Sequence, residues 1–144
     1  MIRYIAVAAT IALGATAVYA QNAAGITARK DALKALGGAT GTMAKMAKGE
    51  APFDNAAAQG ALKTIEVKST ELKGLFGDDT KTGETKALPV AFEKKADVMA
   101  RFDKLSADAK AAQAAVKDLD SLKGELGKIG ANCGGCHKEY RAPQ

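Results

Sequence analysis

The sequence predicts an all-α protein, an antiparallel four-helix bundle. Two observations carry that expectation. Apolar residues recur at steps of three and four along four separate stretches. The breaks between them hold helix stop and start signals, at Lys48-Gly49, Asp54, Pro89 and Asp118 or Asp120. The alanine, lysine and leucine content favours helix throughout. Four amphipathic helices joined by short connections pack most simply as neighbours running in alternate directions.

Residues 1–20 read as a secretory signal peptide. Arg3 gives the positive start, residues 5–18 are apolar, and Val18-Tyr19-Ala20 resembles a small-residue cleavage site. The apolar run is shorter than the ~20 residues of a spanning helix, which argues against an uncleaved anchor. Cleavage after Ala20 would leave residues 21–144 as a single domain. It would also export the protein to the periplasm. Loss of Arg3 takes the formal net charge from +5 to +4. The remaining charges are dispersed, with no basic block and no interleaved aromatics. This argues for a solvated helix surface and no nucleic-acid site. Cleavage of the leader leaves no membrane segment expected in the mature protein, and the weakly basic surface would steer acidic redox partners.

Ile26, Arg29, Leu33, Leu36, Thr40, Met43 and Ala47 mark the first helix, with Gly49 as its C-cap. Gly37, Gly38 and Gly41 interrupt it and would permit close helix approach. Asp54 caps a second helix whose apolar face runs Ala58, Ala61/Leu62, Ile65, Ser69, Leu72 and Phe76. Residues 77–88, polar and glycine-containing, form the one long loop. Pro89 opens the third helix at its first position, with Val90, Phe92, Ala96, Met99, Phe102, Leu105/Ser106, Ala109 and Ala112 facing inward. The fourth helix begins at Asp118 or Asp120. Its face is Leu119, Leu122, Leu126, Ile129, Cys133, Cys136/His137 and Tyr140.

That last helix holds Cys133-Gly134-Gly135-Cys136-His137, the Cys-x-x-Cys-His attachment signature of a c-type haem. The two thiols add across the haem vinyl groups and the imidazole becomes an axial iron ligand. Both cysteines and the single histidine of the chain lie here. Two other chemistries use such residues. A thiol–disulfide motif opens a helix after a strand, and no strand is expected nearby. A structural zinc site needs about four ligands, one more than this segment holds. Five glycines, Gly124, Gly127, Gly130, Gly134 and Gly135, weaken the helix by roughly 1 kcal/mol each. A flat group lying close to the backbone would account for them.

With the motif on the last of four helices, the sequence resembles the cytochromes c′ and their low-spin relatives, the class II c-type cytochromes. The resemblance spans the mature chain. It rests on Arg29-x-x-x-Leu33, Lys48-Gly49-Glu50-Ala51-Pro52-Phe53-Asp54, Leu75-Phe76 closing the second helix, and Cys133-x-x-Cys136-His137-x-x-Tyr140-Arg141. It implies one covalent haem c, with thioethers at Cys133 and Cys136 and His137 as fifth ligand. It also implies that Arg29 and Lys30 lie near a propionate, that Phe76 packs near the haem, that Arg141 flanks His137, and that Glu84 is a further haem contact. A homodimer through the first two helices is implied as well.

The sixth iron position separates the functions that remain. In the low-spin relatives a methionine stands where this chain has Leu33, which cannot ligate iron. The other candidate sixth ligands are Met43, Met46, Met99 and the lysines, and Met43 and Met46 lie ~15–20 Å further along the first helix. The resemblance therefore implies a five-coordinate iron that exchanges electrons and binds NO or CO behind an apolar distal side chain. An alternative is a low-spin six-coordinate electron carrier with another ligand. A peroxidase is the enzymatic alternative. It needs a distal acid–base group that Leu33 does not supply, so the protein is expected not to be an enzyme.

Overall fold

The computed structural model describes residues 3–143, with side chains from residue 22 onward. The expected leader falls on residues whose side chains lie outside that range. The elements are α1 (Arg3–Ala47), α2 (Asn55–Leu72), a short 3-10 turn (Asp78–Thr80), α3 (Val90–Glu93), α4 (Lys95–Ala115) and α5 (Leu119–Tyr140). α1 packs on α2, α2 on α4, α4 on α5, and α5 back on α1. Four long helices thus close into a ring, which is the expected four-helix bundle. Among the described residues no helix is long and apolar enough to cross a membrane.

The connections follow local chemistry. α1 ends where Gly49 adopts φ 78°, a left-handed conformation that needs no Cβ. Glu50 N–H then donates back to the Lys45 carbonyl at 2.9 Å. Asp54 caps α2, accepting from Ala57 N–H at 3.1 Å. Asp118 caps α5 in a reciprocal box with Ser121, whose N–H donates to the Asp118 carboxylate at 2.8 Å.

Four expectations need correction. α2 stops at Leu72, so Phe76 sits beyond the helix, in the chain leading to the loop. The third helix is two pieces, because Lys94 leaves helical geometry at φ −96°, ψ 41°. Pro89 is the N-cap of the first piece, not its first helical residue. The break resets the helical phase, so Val98 is buried where Ala96 was expected, and Ala96 is exposed.

The core runs from Met43, Met46, Ala58 and Leu62 at one end to Phe76, Phe92 and Phe102 at the other. Phe76 meets Phe92 and Phe102 with ring centroids 5.7 Å apart in each pair. Above this trio lies Arg29, only 1% exposed, its guanidinium 5.0 Å from the Phe76 centroid. It donates to the Leu75 carbonyl (3.0 Å), the Thr80 hydroxyl (2.5 Å), the Thr80 carbonyl (2.9 Å) and the Thr85 hydroxyl (2.9 Å). The long loop is thereby strapped onto α1. Gly25 permits that approach, since a Cβ there would sit 2.7 Å from the Thr80 methyl.

Leu62 is fully buried in the bundle interior. Leu62→Ala should cost about 2–5 kcal/mol of unfolding free energy. Denaturant titration of the purified protein measures it.

Candidate haem site

α5 turns one flank toward α4 and another toward α1. The residues between them, Leu122, Leu126, Ile129, Cys133, Cys136 and Tyr140, pack against the core as the spacing predicted. Cys133 and Cys136 are free thiols, half-buried. Burial raises the pKa of both, so they stay protonated at neutral pH, unlike the activated thiolate of a redox motif. His137 is exposed, not part of the buried face as expected. Desolvation and then the Arg141 charge push its pKa down, which favours the neutral imidazole that ligates metals.

His137 continues a stripe at spacings of three and four through Gly127, Gly130 and Gly134, all exposed. A Cβ added at any of those three glycines would meet nothing within 4 Å. The stripe is therefore a bare strip of backbone leading to an imidazole. On α1, Leu33 is 37% exposed, one of the large apolar side chains left uncovered, while its neighbour Ala32 is buried in its place. Two thiols about one turn apart, a neutral imidazole, a bare helix flank and an uncovered leucine on an adjoining helix fit a covalently held porphyrin. They do not fit zinc: among the described residues no three His, Cys, Asp or Glu side chains form a metal-holding group. Nor do they fit a thiol–disulfide site, since among the described residues no strand precedes α5.

The other expected residues lie on α1, in the segment between α2 and α3, and just after α5. Lys30 is exposed one turn before Leu33, and Glu84 is exposed in the loop. Arg29 has four of its donor bonds committed to the loop. Phe76 is buried beneath it. Arg141 follows α5 and pairs with Ala87 in an isolated antiparallel bridge. Two backbone bonds flank that bridge, Leu88 N–H to the Tyr140 carbonyl and Ala142 N–H to the Lys86 carbonyl, each 2.9 Å.

A cluster the sequence reading missed lies on the α4 flank. Tyr140 donates to the Asp97 carboxylate, which also accepts from Arg101 Nε at 2.6 Å. Arg101 Nη2 reaches Glu139 at 2.8 Å, and Lys94 Nζ reaches the same carboxylate at 3.1 Å. The Arg101 guanidinium stands 5.1 Å from the Tyr140 ring centroid. The only hint in the sequence was the i,i+4 spacing of Asp97 and Arg101.

The fold and site define a helical-bundle haem protein with its attachment motif on the last helix. The family model described as cytochrome C′ matches residues 24–141, and the chain belongs to that family. A curated cytochrome c′ from Rhodopseudomonas palustris is 43% identical over 142 residues, 98% of this chain and 97% of the relative. A solved cytochrome c′ of the same species superposes with TM-score 0.81 at 45% identity, covering 83% of this chain and 97% of that one. A variant of cytochrome c prime from Alcaligenes xylosoxidans, solved as its nitrosyl complex, superposes with TM-score 0.74 at 27% identity, covering 84% and 97%. The protein is accordingly a c-type haem protein of electron transport, with one covalently bound haem c.

The hydrogen bond to Asp97, the largest cause, holds the Tyr140 hydroxyl well above its usual value, at about 12. A raised folded-state pKa contributes stability that is complete below pH ~10 and is lost as pH rises through the folded value. Tyr140→Phe should therefore lower Tm at neutral pH and flatten the alkaline limb between pH 10 and 12. Thermal melts across that range check this.

Proposed function

We propose that the protein is a periplasmic electron-transfer haem protein with a five-coordinate iron that binds NO or CO. Cys133 and Cys136 would hold the haem by thioethers and His137 would supply an imidazole ligand to its iron. When bound, the haem supplies an iron that changes oxidation state and accepts one small neutral ligand. The observation that carries this reading is Leu33. It is an apolar, partly uncovered side chain on α1, a helix that packs against α5. It offers the open side of the site bulk but no lone pair and no proton. Met43 and Met46, 0% and 3% exposed, are committed to the core and are not available as sixth ligands. The nitrosyl complex of the Alcaligenes relative supports NO as a ligand.

The remaining roles follow from position. Arg29 and Lys30 approach the propionate side, Glu84 lies in the strapped loop, Phe76 lines the inner wall, and Arg141 flanks the imidazole. Lys86, Lys138 and Arg141 surround the end of α5 without ion-pair partners among the described residues, a surface suited to acidic redox proteins. Residues 1–20 serve as a leader cleaved after Ala20. The solved Rhodopseudomonas relative, matching 83% of this chain, agrees with a shorter mature protein. A homodimer forms through α1 and α2, where Val67 is 47% exposed and Gly37, Gly38 and Gly60 leave the surface thin. An enzymatic role such as a peroxidase would need a distal acid–base group, which Leu33 is not.

The protein exported with its own leader in a host that matures c-type cytochromes should show a high-spin haem whose reduced spectrum shifts under CO. A low-spin spectrum indifferent to CO would overturn the five-coordinate reading. Leu33→Met should convert the spectrum to low-spin six-coordinate, and a variant that stays high-spin would show that Leu33 does not face the iron.

A further inference from the structure

We propose that Arg101 is a positioning residue for the axial imidazole, acting through Asp97, Glu139 and Tyr140 on the turn of α5 that carries His137. The inference rests on His137 being the iron ligand. Glu139 and Tyr140 follow it by two and three residues on the same helix, so whatever holds them sets the height and rotation of the imidazole.

The geometry is that of a clamp. One guanidinium engages two carboxylates on different helices, Asp97 of α4 at 2.6 Å and Glu139 of α5 at 2.8 Å. Its face covers the Tyr140 ring, and the Tyr140 hydroxyl closes the circuit on Asp97. Lys94, at the break between α3 and α4, adds a second cation to Glu139. An isolated exposed ion pair contributes little. Here Arg101 is 34% exposed and Tyr140 is buried, and five side chains share one network.

The clamp grips α5 on its α4 flank. The bare glycine stripe and His137 are exposed, and a Cβ at Gly127, Gly130 or Gly134 meets no side chain of the clamp. The helix end is therefore fixed from behind, and the imidazole cannot drift with whatever it ligates. Loosening the clamp frees the imidazole to move, which alters its bond to the metal and so the reduction potential.

The test measures the reduction potential of the haem-loaded protein in Arg101→Met, Asp97→Asn and Tyr140→Phe, with Lys104→Gln as control. Lys104 pairs with Asp108 on the same helix and shares no hydrogen bond or ion pair with the clamp residues among the described residues. Simple charge removal moves the potential down when a cation is lost, up when an anion is lost, and not at all for Tyr140→Phe. A positioning role moves all three the same way, because all three open one clamp, and the Asp97→Asn/Arg101→Met double variant adds little to either single. Lys104→Gln leaves the potential near wild type. Opposite shifts for Arg101→Met and Asp97→Asn, with Tyr140→Phe unchanged, overturn the proposal. So does a control that shifts as far as the clamp variants. The readout is independent of whether the sixth position is open, so a low-spin wild-type spectrum overturns the gas-binding reading and leaves this comparison intact.

Discussion

A guanidinium in a hydrophobic core has to be hydrogen-bonded, and Arg29 imposes that condition on a large part of the chain. Burial lowers its pKa, a sign of how little water reaches it. Its partners are two carbonyls and two hydroxyls spread from Leu75 to Thr85. To supply them, the chain after α2 must fold back across α1 before it can start α3. That path brings Phe76 under the guanidinium, sets Phe92 beside it, and delivers the start of α4 to the end of α5. The haem seam and the clamp behind it both lie downstream of this placement.

The bundle is asymmetric around α5. On the α4 side the contacts are ionic and interlocked. On the α1 side no side-chain ion pair or hydrogen bond is seen among the described residues, and exposed glycines on α5 and Leu33 on α1 stand uncovered. A large flat group inserted on the second side disturbs few existing contacts, whereas the first side holds the helix in register. The division matches what a covalent prosthetic group requires of its carrier: one rigid wall and one wall still to be completed.

Much of this was legible in the sequence. The caps at Gly49, Asp54 and Asp118 depend on residues within a few positions of one another, and each behaves as local chemistry dictates. The motif Cys133–His137 shows its spacing directly. What sequence could not show was long-range or a matter of phase. Glu93-Lys94-Lys95 contains no helix breaker, so nothing announced the interruption that moved Val98 inward and Ala96 outward. A periodicity of 3.6 accommodates Leu33 or its neighbour Ala32 at the same turn, and the helices packed against α1 decide for Ala32. The four bonds of Arg29 and the contacts of Arg101 with Glu139 join residues about 40 to 60 positions apart, where no pattern points from one partner to the other.

The bridge between Ala87 and Arg141 bears on a difficulty built into this architecture. Helix ends at chain termini fray, opening and closing with little free-energy cost. An iron ligand within the last two turns of the final helix would share that motion. Here the backbone beyond the ligand is stitched to the middle of the chain on both sides of the bridge. Opening the last turn then requires parting the segment before α3 as well. The terminal helix behaves as an interior one, and its amides should exchange with solvent as slowly as those of the core.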